Sequence, residues 1–152
     1  MKSVTKSSSQ ELNIPQMIQY NENSITINIK YFVKCNDYTH LISYIMNIMN
    51  GFVQKKTSNN LDNFVNLIID FDAINISSID FDFVKTLINY LDTNYDEVLS
   101  NIYCINVSFL FKMVYKILKP VLTKKVKDKI IFIKKGQTTE YRNLTEADFD
   151  DM

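Results

Sequence analysis

Along this chain the apolar positions switch between a period of two and a period of three to four, and each switch marks an element. Residues 24–33 (SITINIKYFV) set Ile25, Ile27, Ile29 and Tyr31 against Thr26, Asn28 and Lys30. That alternation predicts an outer, half-exposed strand. From Tyr38 the apolar residues Leu41, Ile42, Ile45, Ile48, Met49 and Phe52 recur at helical steps, so a helix follows, capped by Asn36 or Asp37, with a polar loop over 54–62. The compact run 64–71 (FVNLIIDF) predicts a central strand covered on both faces. After an Asp- and Ser-rich loop, Val84, Leu87, Ile88 and Leu91 line one side of a helix from about Asp80 to Asn94, with Asp82, Lys85, Asn89 and Asp92 on the other.

The stretch 102–134 organises the rest. It reads as a strand over 102–107, a helix over 109–119 halted at Pro120, a lysine-rich turn, and a strand over 129–134 closed by Gly136. On that helix Lys112, Lys116 and Lys119 share one face, while Leu110, Met113, Val114, Ile117 and Leu118 take the opposite arc. Two readings stay open on pattern alone. The segment is a surface helix packed on a sheet, or it is a lid or membrane-surface helix whose basic face suits anionic headgroups.

The order β-α-β-α-β-α-β predicts an α/β fold, a mainly parallel sheet with helices packed on it. Residues 1–23 read as a polar, serine-rich tail with one short segment at 14–20, residues 24–136 as a single domain, and residues 137–152 as an acidic tail. Within that tail, 144–150 has the composition of a helical turn with Thr145 as its cap.

Charge sharpens this picture through its distribution. The formal net charge is zero, so no overall field draws the protein to nucleic acid or to a membrane. Residues 112–135 nevertheless hold nine lysines against Asp128 alone, and an acidic stretch follows. Arginine is scarce, which weakens base readout, and no nucleic-acid partner is expected. Residues 1–10 lack the apolar core of a signal peptide and no run approaches membrane-span length, so a cytoplasmic protein is expected.

Catalytic chemistry finds little footing. His40 is the sole histidine and falls inside a helix, so Ser/His/Asp and Cys/His sets have no base. With only Gly51 and Gly136, no glycine-rich phosphate loop exists. Asp70, Asp72, Asp80 and Asp82 are explained by helix capping and loop solvation in preference to Mg²⁺ binding. Cys35 and Cys104 have no metal-ligand spacing, and Cys104 in an apolar run reads as a buried thiol. No enzyme, metal or cofactor is expected.

Four pieces in order then resemble the CRAL-TRIO lipid-binding domain family. They are Asn94-Tyr95-Asp96-Glu97-Val98-Leu99, Ile105-Asn106-Val107-Ser108 with Phe109 and Phe111 after it, Lys119-Pro120-Val121-Leu122, and Lys129-Ile130. The family pattern is approximately Tyr-Pro-Glu-x-Leu, Ile-Asn-Ala-Pro-x-x-Phe, Lys-Pro-Phe-Leu, then Lys-Ile. The likeness covers about residues 24–136, and its specific part is 94–133. Asp96 and Ser108 stand where the family has prolines, Val121 where it has Phe, and the family's N-terminal helical domain and C-terminal Gly-Gly region have no counterpart here. The short form is similar to the divergent branch found in Rho GTPase-activating proteins.

The resemblance implies a sandwich with an apolar cleft beneath a gating helix, here 109–122. Phe109, Phe111, Met113, Val114, Ile117, Leu118 and Val121 would line the cleft or the membrane face. Lys112, Lys116, Lys119, Lys124 and Lys125 would meet an anionic headgroup or a partner. The expected role is a non-enzymatic module that binds a hydrophobic ligand, a phospholipid or an anionic membrane surface, cytoplasmic and peripheral to the membrane. The rival is a scaffold without a lipid cavity that docks on a protein such as a small GTPase or its regulator. A STAS-like sandwich, which residues 64–91 also resemble, would imply partner binding or phosphorylation near Ser77 and Ser78.

Overall fold

A computed structural model describes residues 13–142 and Leu144. Its sheet runs, in spatial and chain order, β1 (Ile18–Tyr20), β2 (Ser24–Asn28), β3 (Val65–Asp70), β4 (Leu99–Val107), β5 (Ile130–Lys134) and β6 (Glu140–Tyr141). β2 to β5 are parallel, and the two edge pairings are antiparallel. The helices are a single turn α1 (Ile14–Met17), α2 (Thr39–Asn59), α3 (Phe81–Tyr95), α4 (Phe111–Leu118) and α5 (Lys124–Lys129). The expected mainly parallel α/β architecture is present, and the sheet takes in strands on both sides of the 24–136 span.

Neighbouring parallel strands follow one another along the chain, and such crossovers share one hand, so the connecting helices stack on one face of the sheet. Burial follows that rule over most of the sheet, with Ser24 and Ile131 on the far face buried as well. Ile25, Ile27, Leu67, Ile69, Ile102, Cys104, Ile130 and Phe132 enter the core, whereas Thr26, Asn28, Ile68, Asp70, Tyr103 and Ile105 on the other face are half-buried. β3 therefore departs from the expected strand covered on both faces: its residues alternate buried and half-buried along its length. A continuous apolar run does not by itself reveal which side the helices choose.

Other boundaries move for local reasons. The strand expected over 24–33 stops at Asn28, and Ile29–Tyr31 form a 3₁₀ turn that buries Ile29 and Phe32 at the sheet end. α2 runs past the expected loop at 54, because Thr57 and Asn59 bond back to the carbonyls of Val53 and Lys55 and the chain turns only at Asn60, with φ 49°. The lysine-rich turn is helix α5, capped by the Thr123 hydroxyl accepting from the Val126 N–H at 3.1 Å. Asp80 caps α3 by accepting from the Phe83 N–H at 3.1 Å, and it also accepts from the Tyr38 hydroxyl at 2.6 Å, tying the start of α2 to that of α3. Of the acidic tail, residues 137–142 include β6, and the helical turn expected over 144–150 lies, apart from Leu144, outside the described residues.

Burial pushes the Cys104 thiol up to about 12 from an ordinary 9.0. The native thiol keeps its proton between those values while the unfolded chain loses it, so this contribution to stability is present below about pH 9 and is lost as pH rises towards 12. At pH 8 a maleimide is expected to modify the half-buried Cys35 and spare Cys104, giving one adduct by intact mass and two after denaturation.

Candidate functional site

The end of β4 sets the direction of α4. Asn106 sits in the left-handed region at φ 57°, beside a register shift between β4 and β5, a conformation asparagine tolerates better than most residues. Its side-chain amide donates to Asp70 Oδ1 at 2.8 Å, and the same oxygen accepts from the Asp72 N–H at 2.9 Å. The chain leaves the sheet, turns through Ser108, whose carbonyl accepts from the Phe111 N–H at 2.9 Å, and enters α4. Beyond Leu118 the coil tightens into a 3₁₀ turn, Lys119–Val121, around Pro120.

α4 does not present its apolar residues to one side. Phe111, Val114 and Leu118 are buried against the sheet, with the Phe111 ring 4.6 Å from that of Phe71 and 5.8 Å from that of Phe132. Phe109, Leu110, Met113, Ile117 and Val121 instead lie in solvent, 61%, 44%, 57%, 41% and 41% exposed. The arc expected to be a single stripe is two, because α4 touches the core along only part of its apolar circumference. From Leu110 the outer residues follow at steps of three and four, so they form one strip along the helix. Sequence periodicity places Leu110 in this strip, although the family pattern does not single it out.

Lysines border that strip. Lys116 and Lys119 are exposed and Lys112 is half-buried on the same solvent side, and the Lys119 ammonium lies 5.7 Å from the centre of the Tyr115 ring. Lys124 and Lys125 are engaged elsewhere: Lys124 pairs with Asp128 at 3.0 Å and Lys125 with Asp96 at 2.7 Å. Of the five expected headgroup lysines, Lys112 and Lys116 thus stand on α4 and Lys119 opens the 3₁₀ turn after it, while Lys124 and Lys125 lie on α5.

Beneath α4 the core closes almost completely. A cavity of about 10 Å³ remains among Ile69, Phe71, Ile102, Cys104, Phe111 and Phe132, room for about one water and far below the roughly 300 Å³ at which ligand pockets begin. A larger groove of about 470 Å³ opens away from α4, between the β1–β2 turn and α2. Its mixed lining, with Tyr20 and Tyr44 beside Asn21, Glu22, Asn47 and Lys55, is that of an open surface groove and not of an acyl-chain tunnel.

The far end of the α4 segment is tied to α3 by polar groups that periodicity alone does not flag. Asn89 donates to the Val121 carbonyl at 3.0 Å, and the Thr123 hydroxyl donates to Asp92 at 3.4 Å. The Lys129 ammonium pairs with Asp96 and stands 3.8 Å from Asp92 Oδ1. Lys125 and then Lys129 hold the Asp96 carboxyl below the usual carboxylate range, and Asp96 in turn holds Lys125 above the usual lysine value. One signal was available in the sequence: Asp96 stands where the related pattern has proline, and Lys129 opens the Lys-Ile pair. Among the described residues no group of three or more His, Cys, Asp or Glu side chains could hold a metal ion, and no helix is long and apolar enough to cross a membrane.

Comparison with known proteins bears on this arrangement. The crystal structure of Sfh5 matches with a TM-score of 0.59 over 86% of this chain and 53% of that one, at 18% identity, so the likeness concerns the fold and this chain spans about half the length of that structure. No curated protein matches the chain. The profile described as the CRAL/TRIO domain matches residues 16–149, nearly the whole length, and proteins of that family generally bind or transfer lipids and are not enzymes. The sandwich, the motif residues gathered about α4 and that match together place the chain in the CRAL/TRIO domain family.

Proposed function

We propose that this protein is a non-enzymatic lipid-binding module that works at an anionic membrane surface through the outer face of α4. One observation carries the reading: Phe109, Leu110, Met113, Ile117 and Val121 form an exposed apolar strip edged by Lys112, Lys116 and Lys119. An isolated exposed leucine needs no explanation, but a contiguous strip with a basic border is the form of a helix that lies in the headgroup region, apolar side chains in the acyl boundary and ammoniums among the phosphates. The small void beneath α4 supports the same ordering of events. A lipid tail has room there only once α4 lifts, and lifting places Phe111, Val114 and Leu118 in lipid instead of water.

Vesicle co-sedimentation tests this directly. Binding is expected to vesicles containing phosphatidylserine, to fall as salt is raised, and to be weak on phosphatidylcholine alone. Mass spectrometry of gently purified protein reports any lipid already held. Failure to bind either vesicle, with no lipid retained, would overturn the proposal and leave the strip as a surface for a protein partner.

A further inference from the structure

From the polar ties between α3 and the segment after α4, we infer that Asp92 of α3 and Asp96 at its C-terminal cap, with Lys125 and Lys129 of α5, form an electrostatic latch on the C-terminal root of α4, released when anionic headgroups compete for its lysines. The inference rests on the reading of α4 as a membrane-facing lid and names how that lid is regulated.

The two surfaces of α4 explain why a latch is needed and where it acts. Its inner contacts, through Phe111, Val114 and Leu118, are apolar, and burial of that kind is as well satisfied by lipid as by the sheet. It therefore resists lifting in water and offers little resistance at a bilayer. The directional fixings lie past Leu118: Asn89 on the Val121 carbonyl, Asp92 on Thr123, and the carboxylates of Asp92 and Asp96 on Lys129 and Lys125. Asn89 and Asp92 fall at i and i+3 of α3, and Asp96, its helical C-cap, continues the same spacing at i+7, so a single face of that helix and its cap carries every one of these ties.

Exposure is graded across the four charged groups in a way that suits release from outside. The Asp92 and Lys129 side chains are 6% and 17% exposed, Asp96 is 35% and Lys125 is 58% exposed. Lys125 is thus the member a phosphate can reach first, and Asp96 is the carboxylate it must displace. The inner pair is incompletely satisfied: Asp92 Oδ1 is buried without a hydrogen-bond partner, its nearest cation at 3.8 Å, and Asn89 Oδ1 on the same face is likewise unpartnered. A buried carboxylate in that state depends on its remaining counter-charge, so loss of the outer pairing loosens the inner one.

Amide hydrogen exchange of the whole chain reads this without requiring lipid. Asp96→Asn is expected to raise exchange across residues 111–122 about tenfold while leaving β3 and α2 unchanged. Lys125→Gln, on the exposed side of the latch, should give a smaller rise in the same segment and guards against a folding defect in the first variant. Vesicles containing phosphatidylserine should raise exchange there in the unmodified protein and add little in Asp96→Asn. Unchanged exchange over 111–122 in both variants, or a rise spread evenly over the chain, would overturn the latch. Vesicles that bind without raising exchange there would overturn headgroup release. Vesicles that do not bind at all remove the membrane reading and with it headgroup release, while the lipid-free arm still decides the latch.

Discussion

Phe111→Ala is expected to destabilise the protein by about 3–5 kcal/mol, measured as a shift in denaturant midpoint at unchanged slope. Phe111 is 1% exposed, and its ring meets Phe71 at 4.6 Å edge to face and both Phe132 and Tyr115 at 5.8 Å. Removing it deletes one of the largest buried side chains and enlarges the void already present under α4. The surrounding rings can collapse only in part, since the sheet holds Phe71 and Phe132 and the α4 backbone holds Tyr115. Two residues earlier, Phe109→Ala should change stability by no more than about 0.5 kcal/mol, because that ring is 61% exposed. The contrast separates the two faces of α4 using the same substitution.

Outer-face substitution should produce the reverse pattern. The double variant Met113→Asp, Ile117→Asp is expected to cost no more than about 2 kcal/mol, since the two side chains are 57% and 41% exposed and neither is part of the buried core. Its affinity for phosphatidylserine vesicles should nevertheless fall about a hundredfold. Two apolar side chains entering the acyl boundary contribute about 1.5 kcal/mol each, and about 3 kcal/mol corresponds to two decades in partition. Carboxylates at those places also repel the anionic surface and offset the adjoining lysines. A protein that kept its vesicle affinity with both aspartates in place would not be using this strip. Placed on the inner face, at Val114 and Leu118, the same change should unfold the domain, because it buries two charges without partners.

How far these residues could be read from the chain depended on what each side chain touches. The alternation around Ile25 and Ile27 and the helical steps from Leu41 to Phe52 and from Val84 to Leu91 appear as β2, α2 and α3 because those elements have one wet and one dry side. The motif pieces from Asn94 to Ile130 mark the family and flank α4, because each is a short run whose spacing survives in the sequence itself. What the pattern missed depends on tertiary placement. Nothing in the spacing of Leu110, Met113, Val114, Ile117 and Leu118 says where the core contact ends, so a two-faced helix read as a helix with one apolar side. α5 was hidden behind six residues of mostly lysine, and only Thr123, a cap with a buried Val126 three positions on, betrays it. The ties from Asn89, Asp92 and Asp96 join segments some thirty residues apart, as in Thr123 to Asp92 and Lys129 to Asp96, and no local periodicity encodes such pairs.

That division also orders the two functions weighed for α4. Permanent core filling accounts for Phe111, Val114 and Leu118 without any ligand. It does not account for Met113, Ile117 and Val121 on the outside, whose exposed apolar surface contributes nothing to folding. The outer strip is therefore the part of the helix from which a function has to be argued, and the inner strip decides only whether α4 can also act as a lid.

The most direct measurement is the depth of a nitroxide on the outer face. Met113→Cys in a Cys35→Ser background carries the label while the buried Cys104 stays unmodified, and Asn47→Cys on the solvent side of α2 is the reference. On phosphatidylserine vesicles the label at 113 should become accessible to oxygen and shielded from a water-soluble nickel chelate, with the label at 47 unchanged. A label at 113 that stays in water on membrane-bound protein would contradict the account.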